Sequence, residues 1–403
     1  MKRKIAEHLK IIREDAVDLI SEEELVKKVT YSIKFQNPLR LKIGFDPTAK
    51  DLHLGHTVLL KKLRKLQDLG HHVYFIVGDF TAQIGDPSGR KELRPVLTIK
   101  EIRENAKTYT EQAFKILQRR RTKVIFNSSW YRNLNLSQFL PLLSSYTVAR
   151  MLERDDFSQR LKENRPLSIL EFIYPLIQGY DSVKIKADIE FGGTDQKFNL
   201  IVGRHIQESM GQNPQIVVTM PLLVGLDGKS KMSKSLGNYV GITEEPFQMF
   251  GKLMSISDLT MWEYFRLLTD LDIEKIKNMH PKEAKLLLAE KIVSEYHSPL
   301  VAKRTKDEFE RIFSRRETPR DLPTFTVSEK KVDLVELLYN SKLVSSRNQA
   351  RRLLLQKGIR EKEKDAPLED RILAIPPQGL ILKVGKRKFL KVVYKGEDKN
   401  EGR

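Results

Sequence analysis

Hydrophobic positions change their period several times along the chain. Over residues 1 to about 35 they recur at helical spacing, Ile5, Leu9 and Ile12 and then Leu19, Ile20 and Leu25, which predicts amphipathic helices. From Leu41 to about Met220, short β-like runs alternate with amphipathic stretches. The runs are Lys42 to Phe45, Val73 to Val77, Val124 to Phe126 and Ile216 to Thr219, the order of an α/β domain with a mainly parallel sheet. From Glu244 to about Arg316 the pattern is helical, as in Phe247 to Met254 and Lys282 to Tyr296, and Pro319 and Pro323 among polar residues mark a linker. Beyond it, Val332, Leu334, Val335, Leu337 and Leu338 form one apolar face. Ser345-Ser346-Arg347 caps a second helix with Arg347, Arg351 and Arg352 opposite Leu353, Leu354 and Leu355. Gly379 to Tyr394 alternates apolar and basic residues around Gly385, which predicts a hairpin.

Charge changes the picture at the C-terminus. The 403 residues carry a formal net charge of +19, which points to a polyanionic partner. From Lys331 to Arg403 there are 18 Lys and Arg against 10 Asp and Glu. The basic helix and the hairpin, with Lys383, Lys386, Arg387, Lys388 and Lys391, make one patch suited to an RNA backbone. No apolar run is long enough to cross a membrane and the basic N-terminus leads into acidic, amphipathic sequence, so a cytoplasmic protein is expected. With no cysteine, disulfides and thiol catalysis are excluded. No further histidine lies close to His53 and His56 in the sequence, so a structural zinc site is a poor reading and no resident metal is expected.

Two stretches carry candidate chemistry. His53-Leu54-Gly55-His56 follows the Leu41 to Phe45 run and opens a helix that runs to Leu69 with Gly70 as its stop. Both histidines therefore stand at a helix N-terminus, where backbone N–H groups and the helix dipole favour phosphate, and Gly55 leaves room for a close approach. The second stretch, Lys231-Met232-Ser233-Lys234-Ser235, lies in a loop of lysines and serines framed by Gly225, Gly228 and Gly237. It reads as a mobile cationic loop able to meet charge developing on a pyrophosphate. A third feature is independent of phosphate. Tyr174, Gln178 and Asp181 stand at i, i+4 and i+7 on one face of a helix and aim into one pocket, where a buried carboxylate needs a partner.

Taken together, the two motifs, the three-residue face and the basic tail resemble the bacterial tyrosine–tRNA ligases of the class I aminoacyl-tRNA synthetase family, over essentially the whole chain. The first motif is similar to the family's His-Ile-Gly-His signature with Leu54 in place of Ile, and the second matches Lys-Met-Ser-Lys-Ser. The resemblance implies a Rossmann-like parallel-sheet catalytic domain with N-terminal helices (1–240), an α-helical domain on the anticodon side (241–320) and a small α+β RNA-binding domain of the S4 ribosomal-protein type (331–403). It implies a homodimer, with Gln138 to Met151 as one candidate for the interface and an internal helix as the alternative.

The resemblance also implies roles. His53 and His56 would contact ATP phosphates, Thr48 the γ-phosphate, and Lys231, Lys234, Arg90 and Arg94 the departing pyrophosphate, with magnesium accompanying ATP. Asp46 and Gly55 would lie on the nucleotide side, Gly193 and Asp195 at the ribose, and Gln196 near the reacting carboxylate. Tyr174, Gln178 and Asp86 would hold the α-amino group of L-tyrosine, Asn127 its carboxylate, and Asp181 its phenol. Arg347, Arg351, Arg352, Lys386, Arg387 and Lys388 would face tRNA(Tyr). One departure stands out: many members carry a tyrosine where this chain has Lys42, so the phenol contact rests on Asp181. A tryptophan–tRNA ligase shares fold and motifs, a synthetase-derived RNA-binding or splicing factor shares the fold without the reaction, and a generic nucleotidyl transferase would not need the tail.

Overall fold

The computed structural model describes residues 1–48, 51–87, 98–313, 322–362, 366–385 and 388–395. Arg90, Arg94, Lys386 and Arg387 lie outside them. The chain divides into two compact units, Met1–Lys303 and Arg304–Arg403.

The first unit is built on a six-stranded sheet, ordered β1-β6-β5-β2-β3-β4. Its strands are β1 (Asp18–Ile20), β2 (Arg40–Phe45), β3 (His72–Val77), β4 (Thr122–Phe126), β5 (Ile189–Gly193) and β6 (Ile216–Met220). Four of these are the predicted runs. The other two correct the sequence reading. Leu19 and Ile20 do not continue a helix but form β1, which pairs antiparallel with β6 and stands between helices Lys2–Arg13 and Glu22–Lys34. β5 ends in the Gly192-Gly193 turn, which masks its Ile-Glu-Phe start. All other pairings are parallel, and the central strands are apolar on both sides because helices cover both faces.

Chain order reverses between β2 and β5. These two strands share only two rungs, Leu41 with Ile189 and Lys42 with Glu190. Past Lys42, β2 stays with β3 while β5 stays with β6, so a fork opens at their C-terminal ends, the place where open α/β sheets bind ligands. Two helices frame it. The signature helix, Leu54–Asp68, follows β2. The pocket helix, Ile169–Ile185, starts at Ser168, whose side chain accepts from Leu170 while Glu171 accepts from the Ser168 amide at 3.0 Å, and ends at Lys186 in the left-handed conformation.

The pocket helix lies directly on helix Lys197–Ser209, backbone against backbone. A Cβ at Gly179 would meet the Cα of Gly203 at 2.9 Å and Ile206 Cδ1 at 2.6 Å. Gly179→Ala should therefore force the two helices apart and cost about 1–3 kcal/mol of stability, read by urea denaturation; an unchanged midpoint would contradict this packing.

Helices Pro246–Met254, Asp258–Leu268 and Pro281–Tyr296 complete this unit. The fully buried Tyr264 donates to the Val224 carbonyl at 2.7 Å and so anchors the start of the Lys-Met-Ser-Lys-Ser loop.

The second unit holds its own core of Leu334, Leu338, Ile359, Leu382 and Val392 among others. Its hairpin, Leu380–Val384 with Lys388–Tyr394, is the predicted one, with Gly385 left-handed at its tip. Strand Thr324–Val327 pairs parallel with Lys388–Tyr394, so the fold of this module starts before residue 331. On helix Arg347–Leu355, Leu353 and Leu354 pack on the core, but Leu355 is 84% exposed. The helix turns by about 100° per residue, and the third leucine is carried off the buried face.

Candidate active site

The fork contains a cleft of about 300 Å³ whose lining comes from β2, β5, both framing helices and the segment after β6, including Leu222, Leu223 and Lys231 to Ser233. Its phosphate-like end is built at the start of the signature helix. His53 is the extended N-cap residue, and its amide donates to His56 Nδ1 at 3.1 Å. The rings are tilted by 34° to one another with centroids 3.8 Å apart. Burial pushes the His53 imidazolium down to about 2 and the His56 one to about 3, with Lys234 adding to both, so both rings are neutral in ordinary buffers. Neutral imidazoles can donate hydrogen bonds to phosphate without a proton being lost. A Cβ at Gly55 would stand 3.0 Å from the His53 ring, so this glycine makes room for a histidine within the protein. The Leu54 amide is already taken by the Val240 carbonyl.

The loop is tied down as it stands. Gly225 and Met232 amides donate to Ser230 and Leu223 carbonyls, and Asn238 receives the Ser233 amide at 2.8 Å while donating to Asp227. Lys231 pairs with Asp195 at 2.7 Å across the cleft mouth. Lys234 donates to the Asp51 carbonyl and lies 5.7 Å from the centre of the Tyr109 ring, with burial lowering its pKa. Asp51 and Tyr109 were invisible as partners in the sequence because nothing in their spacing sets them apart.

The other end of the cleft is acidic. Tyr174 donates to Asp46 Oδ2 at 2.9 Å and Thr81 to Asp46 Oδ1 at 2.7 Å. Burial raises the Asp46 carboxyl to about 7, and the negative charges of Asp86 and Asp181 push the same way. Asp86 accepts from Gln196 at 2.7 Å. Gln178 lines the cleft, and its Oε1 is buried with no hydrogen-bond partner among the described residues. An unpaired buried acceptor beside an acidic cluster could receive a cationic hydrogen-bond donor.

Asp181 is held by three donors. Trp130 Nε1 and Tyr131 Oη both reach Oδ1 at 2.9 Å, and Asn127 Nδ2 reaches Oδ2 at 3.3 Å. Burial raises its carboxyl to about 6, against the pull of Lys42 and these donors. Asn127 is fully buried and spends its amide on Asp181 and Thr81, outside the cleft lining. Trp130 and Tyr131 escaped the sequence reading, although an aromatic pair three residues after Asn127 was a usable signal.

The cleft thus gathers Asp46, Thr48, His53, Gly55, His56, Asp86 with Tyr174, Gln178, Asp181, Gly193, Asp195, Gln196 and Lys231. Among the described residues, no group of three His, Cys, Asp or Glu could hold a metal ion, and no helix is long and apolar enough to cross a membrane. In the second unit, Arg351 and Arg352 are exposed. Arg347 makes a two-point pair with Glu336 at 2.7 and 2.9 Å and stacks on Tyr339, while Lys388 donates to the Leu343 carbonyl.

Comparison with known proteins follows the same lines. The family model for tRNA synthetases class I (W and Y) matches residues 34–314. A tyrosine–tRNA ligase from Aquifex aeolicus is 54% identical over 394 residues, covering 96% of this chain and 98% of that protein. One from Thermotoga maritima is 49% identical over 397 residues, covering 96% and 97%. Among solved structures, a C-terminally truncated mitochondrial tyrosyl-tRNA synthetase from Aspergillus nidulans has a TM-score of 0.64 at 22% identity, over 77% of this chain and 94% of that one. The tyrosyl-tRNA synthetase from Archaeoglobus fulgidus, complexed with L-tyrosine, has a TM-score of 0.60 at 24% identity, over 75% and 99%. At those identities the likeness speaks for the fold.

Proposed function

The chain belongs to the class I tRNA synthetases for tryptophan and tyrosine, and from that premise we infer that it is a tyrosine–tRNA ligase. It activates L-tyrosine with ATP to tyrosyl-adenylate and pyrophosphate, then passes tyrosine to the terminal ribose of tRNA(Tyr). The observation that carries this reading is the single cleft joining the two histidines and Lys231 to Tyr174, Gln178 and Asp181. Identity to tyrosine enzymes over nearly the full chain favours tyrosine over tryptophan. Pyrophosphate exchange into ATP tests it: exchange should depend on tyrosine, and exchange driven only by tryptophan, or by neither, would refute it.

In the first step the tyrosine carboxylate attacks the α-phosphorus in line and pyrophosphate leaves, so the protein supplies position and charge and no nucleophile. We assign His53 and His56 to the phosphates as neutral donors, Thr48 to the γ-phosphate, and Lys231 and Lys234 to the leaving group. Arg90 and Arg94 are proposed for the same end. Gly193 and Asp195 are assigned to the ribose, which requires Lys231 to leave Asp195 as the nucleotide enters and so frees a cation for the pyrophosphate. Magnesium would travel with the ATP phosphates. Gln196 is placed near the reacting carboxylate, and Asp181 takes the phenol. Asn127, assigned from the sequence to the carboxylate, is better read as a support for Asp181.

The substrate ammonium is assigned to Tyr174, Gln178 and Asp86; Asp46, expected from the sequence on the nucleotide side, is reassigned to this end because Tyr174 donates to its carboxylate. Because the Asp46 carboxyl is held near 7, below that pH it carries a proton that an incoming ammonium must displace. Tyrosine affinity should therefore be highest at about pH 8, where the substrate is still an ammonium, and fall as pH drops through 7, by up to about tenfold per unit. Calorimetric titration of tyrosine across this range measures it. Asp46→Asn should flatten the profile, and a flat profile in the unaltered protein would refute the assignment.

We further propose a cytoplasmic homodimer. Leu136, Leu140 and Val148 are exposed apolar side chains beside the partly buried Phe139, Leu143 and Tyr146, a face that a second copy would cover. The helical region (241–320) is proposed to face the anticodon side, and the C-terminal module (331–403 with its preceding strand) to bind tRNA as an S4-type domain through Arg347, Arg351, Arg352, Lys386, Arg387 and Lys388.

A further inference from the structure

At the floor of the cleft lies a charge that neither step of the reaction uses. Lys42 is 1% exposed and stands on the last shared rung of β2 and β5, directly beside Glu190. Its ammonium has three protons and three acceptors: Glu190 Oε1 at 2.8 Å, Ser182 Oγ at 2.7 Å and the Gln178 carbonyl at 2.8 Å. The far oxygen of Glu190 is held in turn by Ser182 at 3.1 Å and by Gln215. A lysine and a glutamate this deep both lose their hydration, which only complete pairing offsets.

Two of the three acceptors belong to one turn of the pocket helix, the turn between Gln178 and Ser182 that contains Asp181. Lys42 therefore ties the sheet at the fork to the segment that presents Gln178 and Asp181 to the amino acid. Its positive charge also acts on the Asp181 carboxyl, lowering it against the upward push of burial. We propose that Lys42, clamped by Glu190, is a positioning residue for amino-acid specificity: it holds the turn of Asp181 in register with the cleft, so that a phenol hydroxyl adds a fourth hydrogen bond to a carboxylate already held by Asn127, Trp130 and Tyr131, a bond that a bare phenyl ring cannot make. This rests on the tyrosine–tRNA ligase reading above. The rung acts at the amino-acid end, so ATP handling at His53, His56 and Lys231 should not feel it.

Lys42→Met keeps the length and removes the charge. Lys42→Met/Glu190→Gln removes both charges, so that no lone carboxylate is left buried. In exchange assays with tyrosine and with phenylalanine, Lys42→Met should raise the KM for tyrosine and lower the tyrosine-over-phenylalanine ratio of kcat/KM, each by about tenfold or more, with the KM for ATP within about twofold. Thermal unfolding of the double variant should return toward that of the unaltered protein while the ratio stays low. A role in stability alone would move the unfolding midpoint and leave the ratio within about twofold in either variant, which would overturn the proposal; so would recovery of the ratio in the double variant, since Lys42 would then only silence Glu190. If the single variant does not fold, the double variant decides by the same ratio. Absence of tyrosine-dependent exchange in the unaltered protein would instead refute the activity itself, and this inference with it.

Discussion

His56→Ala should slow tyrosyl-adenylate formation by about 10²–10³ while leaving tyrosine affinity within about threefold. The imidazole stands at the first turn of the signature helix, 3.8 Å from the His53 ring and away from the acidic end proposed for the ammonium. Its pKa is depressed to about 3 by burial, so it acts as a neutral donor and not as a cation. A fixed donor that meets the phosphates only as charge develops lowers the barrier without tightening the ground state. The rate therefore falls and amino-acid binding does not. Single-turnover formation of the adenylate gives the rate, and equilibrium dialysis with tyrosine gives the affinity. An equal loss of both would show that His56 shapes the pocket as a whole. The rate should also stay independent of imidazole protonation down to about pH 5, since both histidines remain neutral there.

Removing the C-terminal module should separate the two half-reactions. A chain ended before Leu322 should keep tyrosine-dependent exchange within about twofold and lose charging of tRNA(Tyr) by about a hundredfold or more at physiological salt. The place of the cut matters. Ending the chain at residue 330 would leave strand Thr324–Val327 without its partner Lys388–Tyr394, an exposed edge that invites aggregation. Point variants give the same test in the full chain. Arg351→Glu with Arg352→Glu reverses two exposed charges without touching the core leucines. Arg347 is a weaker choice, because its pair with Glu336 and its stack on Tyr339 also hold the helix in place. Charging that survives truncation undiminished would refute an RNA role for the module.

Much of the fold was legible because it is local. Four strands of the main sheet are mainly apolar runs between amphipathic helices, and the hairpin around Gly385 alternates because one face of its sheet is buried. The two strands that escaped detection lack such support. β1 is three residues long and owes its conformation to antiparallel pairing with β6, about 200 positions away. β5 is buried on every residue and ends in two glycines, so its sequence resembles a turn. The leucine at the end of helix Arg347–Leu355 shows the same limit: apolar identity marked it for the core, and helix geometry turned it to solvent.

The sequence by itself determined the end of the cleft proposed for the phosphates. His53 and His56 are three residues apart at a helix start, so local geometry alone brings their rings together, whereas Lys231 and Lys234 share one loop and take different partners, Asp195 and the Asp51 carbonyl. The amino-acid end was decided by tertiary structure. Asp181 depends on Asn127, Trp130 and Tyr131, more than 49 positions upstream in each case, and Lys42 finds Glu190 across the fork of the sheet. Buried polar groups must find partners wherever the fold places them, and sheet topology, not spacing along the chain, placed these.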